Sequence, residues 1–204
     1  MCKTSRKSED YRAAARMCRD EGHSEDRVLA ICGMLCNGYR EKFQGANNTP
    51  HKKMTDGQTK ESKLGCRDTF LYAFEKSVEE SMKVHSELID NLIELAWFKP
   101  QIDKILDRVK DFRWKDHGYV YKRILELTYF DEEYRPNNVI YDMIGIGKTE
   151  YYAKRDIAII VFGMQMWIYC KKRQIEDMDK GRIPWKDIPK GYDDLTKLVP
   201  IEEL

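Results

Sequence analysis

The feature that most constrains this chain is Gly145-Ile146-Gly147, two glycines around one apolar residue, set between two helix-forming segments. Before it, Val139, Ile140 and Ile144 lay an apolar stripe on a short helix. After it, Lys148-Thr149-Glu150 opens a second helix carrying Tyr151, Tyr152, Lys154 and Arg155. A short helix, a Gly-bearing turn of about three residues and a basic-fronted helix are the parts of a helix-turn-helix. Ile146, Tyr151, Ala158 and Phe162 are expected to form the buried side of the second helix. Residues 121–168 thus read as helix, break, short helix, tight turn and long helix, with the motif at about 138–162.

The remaining segments also carry helical patterns, with no convincing strand and no internal repeat. Residues 8–19 have Glu9 and Asp10 in the first turn and Tyr11, Ala14, Ala15 and Cys18 at helical spacing. Gly22 stops that helix, and Ser24 caps a second one that ends near Phe43. This N-terminal helical hairpin (residues 1–44) is small for an independent unit. Residues 45–66, rich in Gly, Asn, Thr, Lys and Ser, read as a linker and a domain boundary. A helical domain is expected over 67–173. Its longest pattern runs from 67 to 98, and Pro100 forces a new start. A break is expected at Trp114-Lys115-Asp116-His117-Gly118, and Asn137 or Asn138 as the cap of the short helix. Residues 174–204 form a Pro-containing tail with Trp185. The predicted fold is all-α: a helical hairpin plus a helical domain ending in a helix-turn-helix.

Charge narrows the functional classes. The 204 residues carry a net charge of +1, so the chain is not a polybasic nucleic-acid binder and any phosphate-binding charge must be local. Between Arg135 and Arg173 there are seven Lys or Arg against three acids, an excess of four. Residues 1–10 lack the apolar core of a secretory signal. The most apolar run, 157–170, falls short of the roughly 20 residues a membrane span needs. Six cysteines without a secreted framework fit reduced thiols in a cytosol.

A recognition helix presents long polar side chains near its N-terminus, where it enters the major groove. Lys148 and Thr149 sit there, with Tyr152 and Arg155 about one turn on. Arg and Lys read guanine, whereas Thr and Tyr more often hold phosphates. The competing reading is a helical hairpin whose Lys and Arg only solvate its face.

The stretch YKRILELTYF…NNVIYDMIGIGKTEYYAKRDIAI resembles the sigma-factor region-4 type of helix-turn-helix. More narrowly, it is similar to the ArpU/RinA-like transcription regulators of phages of Gram-positive bacteria. In that pattern an aromatic-rich helix end precedes a short helix, an L-G-I-S turn and an R-x-x-Y-Y-R-x-K helix start. Here Ile144-Gly145-Ile146-Gly147 stands at the turn and residues 148–155 at the helix start. Gly147 takes the place of the usual Ser or Thr cap, and Ala153 that of a basic residue. The resemblance covers roughly 120–165. It implies double-stranded DNA as partner, with Asn137, Asn138, Lys148, Thr149, Tyr152, Lys154 and Arg155 at the duplex. It also implies regulation of phage or prophage late genes, beside RNA polymerase, in the cytoplasm of a bacterial host.

Other constellations carry less. Cys32 and Cys36 lie one turn apart with Cys18 and His23 nearby, but the spacing matches no zinc-finger pattern, and core thiols are the expectation. Gly147-Lys148-Thr149 resembles the end of a P-loop, yet the required first Gly falls at Asp142 and no buried strand precedes it. No Ser/His/Asp order and no carboxylate pair in an apolar frame is present, so neither an enzyme nor a cofactor is expected. The helix at 157–170, apolar almost all round, either packs under residues 70–130 or offers a surface to a homodimer or a polymerase. Two alternatives to the regulator stay open: a ring-forming DNA-packaging factor of the small-terminase type, and a helical protein-interaction module without nucleic acid.

Overall fold

A computed structural model describes residues 8–44, 67–68, 70–71, 74, 98–112 and 115–182. Among these residues every regular element is helical, so the all-α expectation holds. Helix α1 (Glu9–Asp20) and α2 (Glu25–Phe43) begin at serines that satisfy otherwise orphaned amides. Ser8 Oγ accepts from the Tyr11 amide at 3.0 Å, and Ser24 Oγ from the Arg27 amide at 3.3 Å. Helix α3 (Phe98–Lys110) holds Pro100 in its first turn, where the missing N–H is tolerated. The expected linker, most of the pattern at 67–98 and the tail with Trp185 lie outside the described residues.

The expected break at 114–118 is corrected. Helix α4 (Lys115–Leu125) starts inside it. Gly118 is a packing residue there: a Cβ would sit 2.0 Å from the Lys110 carbonyl oxygen. Its absence lets α4 close against the end of α3. Helix α4 then widens into a π-helical turn, Glu126–Phe130, in which Leu127, Thr128, Tyr129 and Phe130 are all buried. Helix α5 (Asn137–Ile144) and the 32-residue α6 (Lys148–Asp179) complete the order. Neither Asn137 nor Asn138 caps α5. Pro136 takes the cap position without a side-chain bond, because Asn137 is already helical and its amide is engaged elsewhere.

The hairpin is not a tethered unit. Residues of α1 and α2 share one hydrophobic core with α3, α4 and α6. The apolar stretch 157–170 of α6 lies inside that core, enclosed by α1, α2, α3 and α4. It therefore presents no surface to a dimer partner or a polymerase, and its packing partners include the N-terminal hairpin as well as later helices. Gly163 makes the closest approach, since a Cβ there would fall 2.4 Å from Cys32 Sγ. Polar ties cross the same core. Buried Asp10 on α1 accepts from the Tyr121 hydroxyl and lies 2.8 Å from His117 Nδ1. The Tyr169 hydroxyl donates to Gln101 Oε1 at 2.6 Å. No described helix is long and apolar enough to cross a membrane.

Candidate nucleic-acid interface

The residues around Gly145 form a second, smaller cluster. Ile124, Leu127, Ile140 and Tyr151 are its buried centre, with Val120, Tyr141, Ile144, Ile146 and Tyr152 packed around it. Gly145 has φ 77°, the left-handed conformation that ends a helix and that L side chains rarely adopt. Its amide and that of Ile146 both donate to the Tyr141 carbonyl at 3.0 Å, which satisfies the end of α5. The π turn aims Leu127 at this cluster and Tyr129 and Phe130 at the main core, so one turn serves both.

Tyr151 locks the motif. It is fully buried, and its hydroxyl lies 2.9 Å from Thr128 Oγ1 and donates to Asn137 Oδ1 at 3.3 Å. Asn137 Nδ2 in turn donates to the Tyr152 hydroxyl at 3.4 Å. With Thr128 as the first donor, one chain of hydrogen bonds links the π turn, α5 and α6. Burial raises the Tyr151 pKa, so the phenol stays protonated as donor.

The candidate contact residues separate into two groups. Asn138, Lys148 and Thr149 are exposed, together with Glu150 and Asp142. Asn137, Tyr152 and Arg155 are half-buried and bound to the protein. The Arg155 guanidinium stacks 4.9 Å above the Tyr152 ring and lies 3.2 Å from Asp156 Oδ1, so the outward projection expected for Tyr152 and Arg155 is corrected. Lys154 is intermediate, 3.6 Å from Glu150 Oε1 and 5.7 Å from the Tyr121 ring centroid. Arg135 is tied to Asp131 and Glu133 and offers little net charge to a partner. The acids of the loop at 131–133 stand immediately before the stretch that carries the basic excess, so the exposed motif is nearly neutral.

Sequence reasoning missed the Thr128–Tyr151–Asn137 chain. A tyrosine pair after a glycine turn was its only visible signal. The described thiols, Cys18, Cys32, Cys36 and Cys170, are buried core residues. Burial pushes the Cys18 pKa up to about 12 and those of Cys32 and Cys36 well above the ordinary thiol range. Among the described residues no three His, Cys, Asp or Glu side chains come together in a way that would hold a metal ion. Comparison with protein-family models, with curated proteins and with solved structures returns no match.

Proposed function

We propose that the chain binds double-stranded DNA by placing the first turn of α6 in the major groove. The observation that carries this reading is a sharp contrast in exposure. Residues 147–150 and Asn138 are open to solvent, while Ile140 and Tyr151 on either side are fully buried. A short polar edge is thereby held on a fixed base, which is what groove reading requires. Lys148 is the candidate base reader, and Thr149 and Asn138 hold the backbone. Arg155 and Tyr152 position the helix and do not reach the duplex. With few free cations, affinity should depend less steeply on salt than for a polybasic protein. The resemblance to ArpU/RinA-like regulators supports a role in phage or prophage late transcription.

The test is fragment selection from the source genome by the purified protein, followed by fluorescence anisotropy on the selected duplex. Replacing Asn138, Lys148 and Thr149 together with Ala should weaken binding at least tenfold while leaving helical circular dichroism unchanged. Full retention of binding would remove α6 as the reader. A second reading has one specific observation in its favour. Val139 and Met143 are 39 % and 53 % exposed on the outer side of α5, beside a nearly neutral surface. That combination suits a protein partner such as RNA polymerase, and a pull-down unaffected by nuclease would favour it.

A further inference from the structure

We propose that the cleft between the C-terminal end of α2 and the loop preceding α5 binds a neutral nucleobase, free or as a nucleoside. The cleft encloses about 500 Å³, within the range of small-molecule sites. Gln44 lines it and is only 5 % exposed, yet neither its Nε2 nor its Oε1 has a hydrogen-bond partner. A buried primary amide orphaned at both ends is costly, and native proteins rarely leave one so. Its natural complement offers an acceptor beside a donor, the pattern on the hydrogen-bonding edges of the bases.

The other walls suit the same ligand. The Arg40 guanidinium lies 4.7 Å over the Tyr134 ring and is held by a 3.1 Å bond from Nη2 to the Arg135 carbonyl. Tyr134 remains 55 % exposed, so a planar layer stands at the edge of the cleft. Planar bases are held against such aromatic and guanidinium surfaces. Asn37 and Asn137 add further amides. Among the described lining residues Arg40 and Glu41 offset each other in charge, which favours a neutral ring over a phosphate. Asn137 keeps its amide on Tyr151 and Tyr152, at 3.3 and 3.4 Å, so Gln44 is the amide in this wall left to pair with a ligand. This cleft is distinct from the exposed turn at 147–150, and the inference does not rest on groove binding.

Thermal unfolding and calorimetric titration of the full chain test it, with adenosine, guanosine, cytidine and thymidine as free ligands and short single-stranded oligonucleotides as a second arm. At least one nucleoside should raise Tm by several degrees at millimolar concentration. Gln44→Met keeps the length of the side chain and removes the orphaned amide. It should raise the Tm of the unliganded protein and abolish the response to ligand. Lys148→Ala should leave that response intact, which separates failure here from failure of the groove reading. A response to oligonucleotides alone that is lost in Gln44→Met assigns the base to a nucleic-acid strand. Silence in both arms, or a response undiminished in Gln44→Met, overturns the proposal.

Discussion

The first turn and the middle of α6 live in different surroundings. Its first turn, from Lys148, is open to solvent and rests on a small cluster centred on Ile140 and Tyr151. From Ile157 to Met164 the same helix is no more than 3 % exposed at any apolar side chain and is enclosed by four others. One continuous helix thus couples a lightly supported polar edge to a heavily supported core. The core fixes the direction of the helix axis, and the small cluster fixes only its first turn. Damage in one place should therefore be separable from damage in the other.

The harshest way to break that division is at Gly163. An alanine Cβ would lie 2.4 Å from Cys32 Sγ and 2.9 Å from Val28 Cγ1, so those side chains, or α2 itself, must shift. Gly163→Ala should cost about 1–3 kcal/mol in urea unfolding. Adding Cys32→Ala removes the nearest atom and should recover part of the loss, a non-additive pair. If Gly163→Ala is neutral, α2 and α6 are not in that contact.

The core should also respond to acid through His23. Its ring stands edge-on to Phe74 and Trp167 at 5.1 and 4.9 Å. Burial, aided by Arg27 and Lys171, lowers its pKa from 6.5 to about 4. Above pH 6.5 both folded and unfolded states hold it neutral and it has no effect. Between 6.5 and about 4 the unfolded chain takes up a proton that the folded chain refuses, so stability falls as pH falls. Below about 4 the loss is complete. Tm measured across this window should drop by several degrees more in the parent than in His23→Phe. Parallel curves would mean the imidazole is already solvated.

What the sequence revealed was local. Ser24 caps its helix through its own next turn, and Gly145 ends α5 by its own conformation, so short-range chemistry was enough; Ser8, read as part of the first helix, proves to be its cap. Gly118 was misread as a breaker because the reason for it lies on α3, in the Lys110 carbonyl. The π turn at Glu126–Phe130 leaves no sequence trace, since burial on two sides makes it favourable. Asn137 reads as a cap by type, but two tyrosines 14 and 15 residues away claim its amide. Arg155 reads as a contact residue by position, whereas its stacking on Tyr152 and its pairing with Asp156 are decided by side-chain direction. Arg40 lies 95 residues from the carbonyl it binds, a distance no periodicity reports.

On the motif side the expected effects are smaller. Tyr151→Phe keeps the ring in the cluster and deletes the hydroxyl, leaving Thr128 and Asn137 without that partner. The cost should be about 1–2 kcal/mol, because buried polar groups lose their bond while the apolar packing stays. Hydrogen exchange should quicken in α5 and the first turn of α6 and stay unchanged in the middle of α6. Adding Thr128→Val removes one stranded group and should return part of the loss. Faster exchange throughout α6 would show that cluster and core unfold together.

The mildest change, Gly147→Ser, sharpens the comparison most. Gly147 caps α6 with an extended backbone, φ −74° and ψ 155°, that any residue adopts. A Cβ there meets nothing within 4 Å. A serine hydroxyl is placed to accept from the amide of Thr149 or Glu150, a gain of a few tenths of a kcal/mol over glycine. Among the described residues nothing requires glycine at this position. If a duplex backbone approaches residue 147, the serine should weaken DNA binding even as it stabilises the helix start, and the two measurements would move in opposite directions. If anisotropy on a selected fragment shows binding that rises with stability, the groove edge lies beyond the turn, at Lys148 and outward.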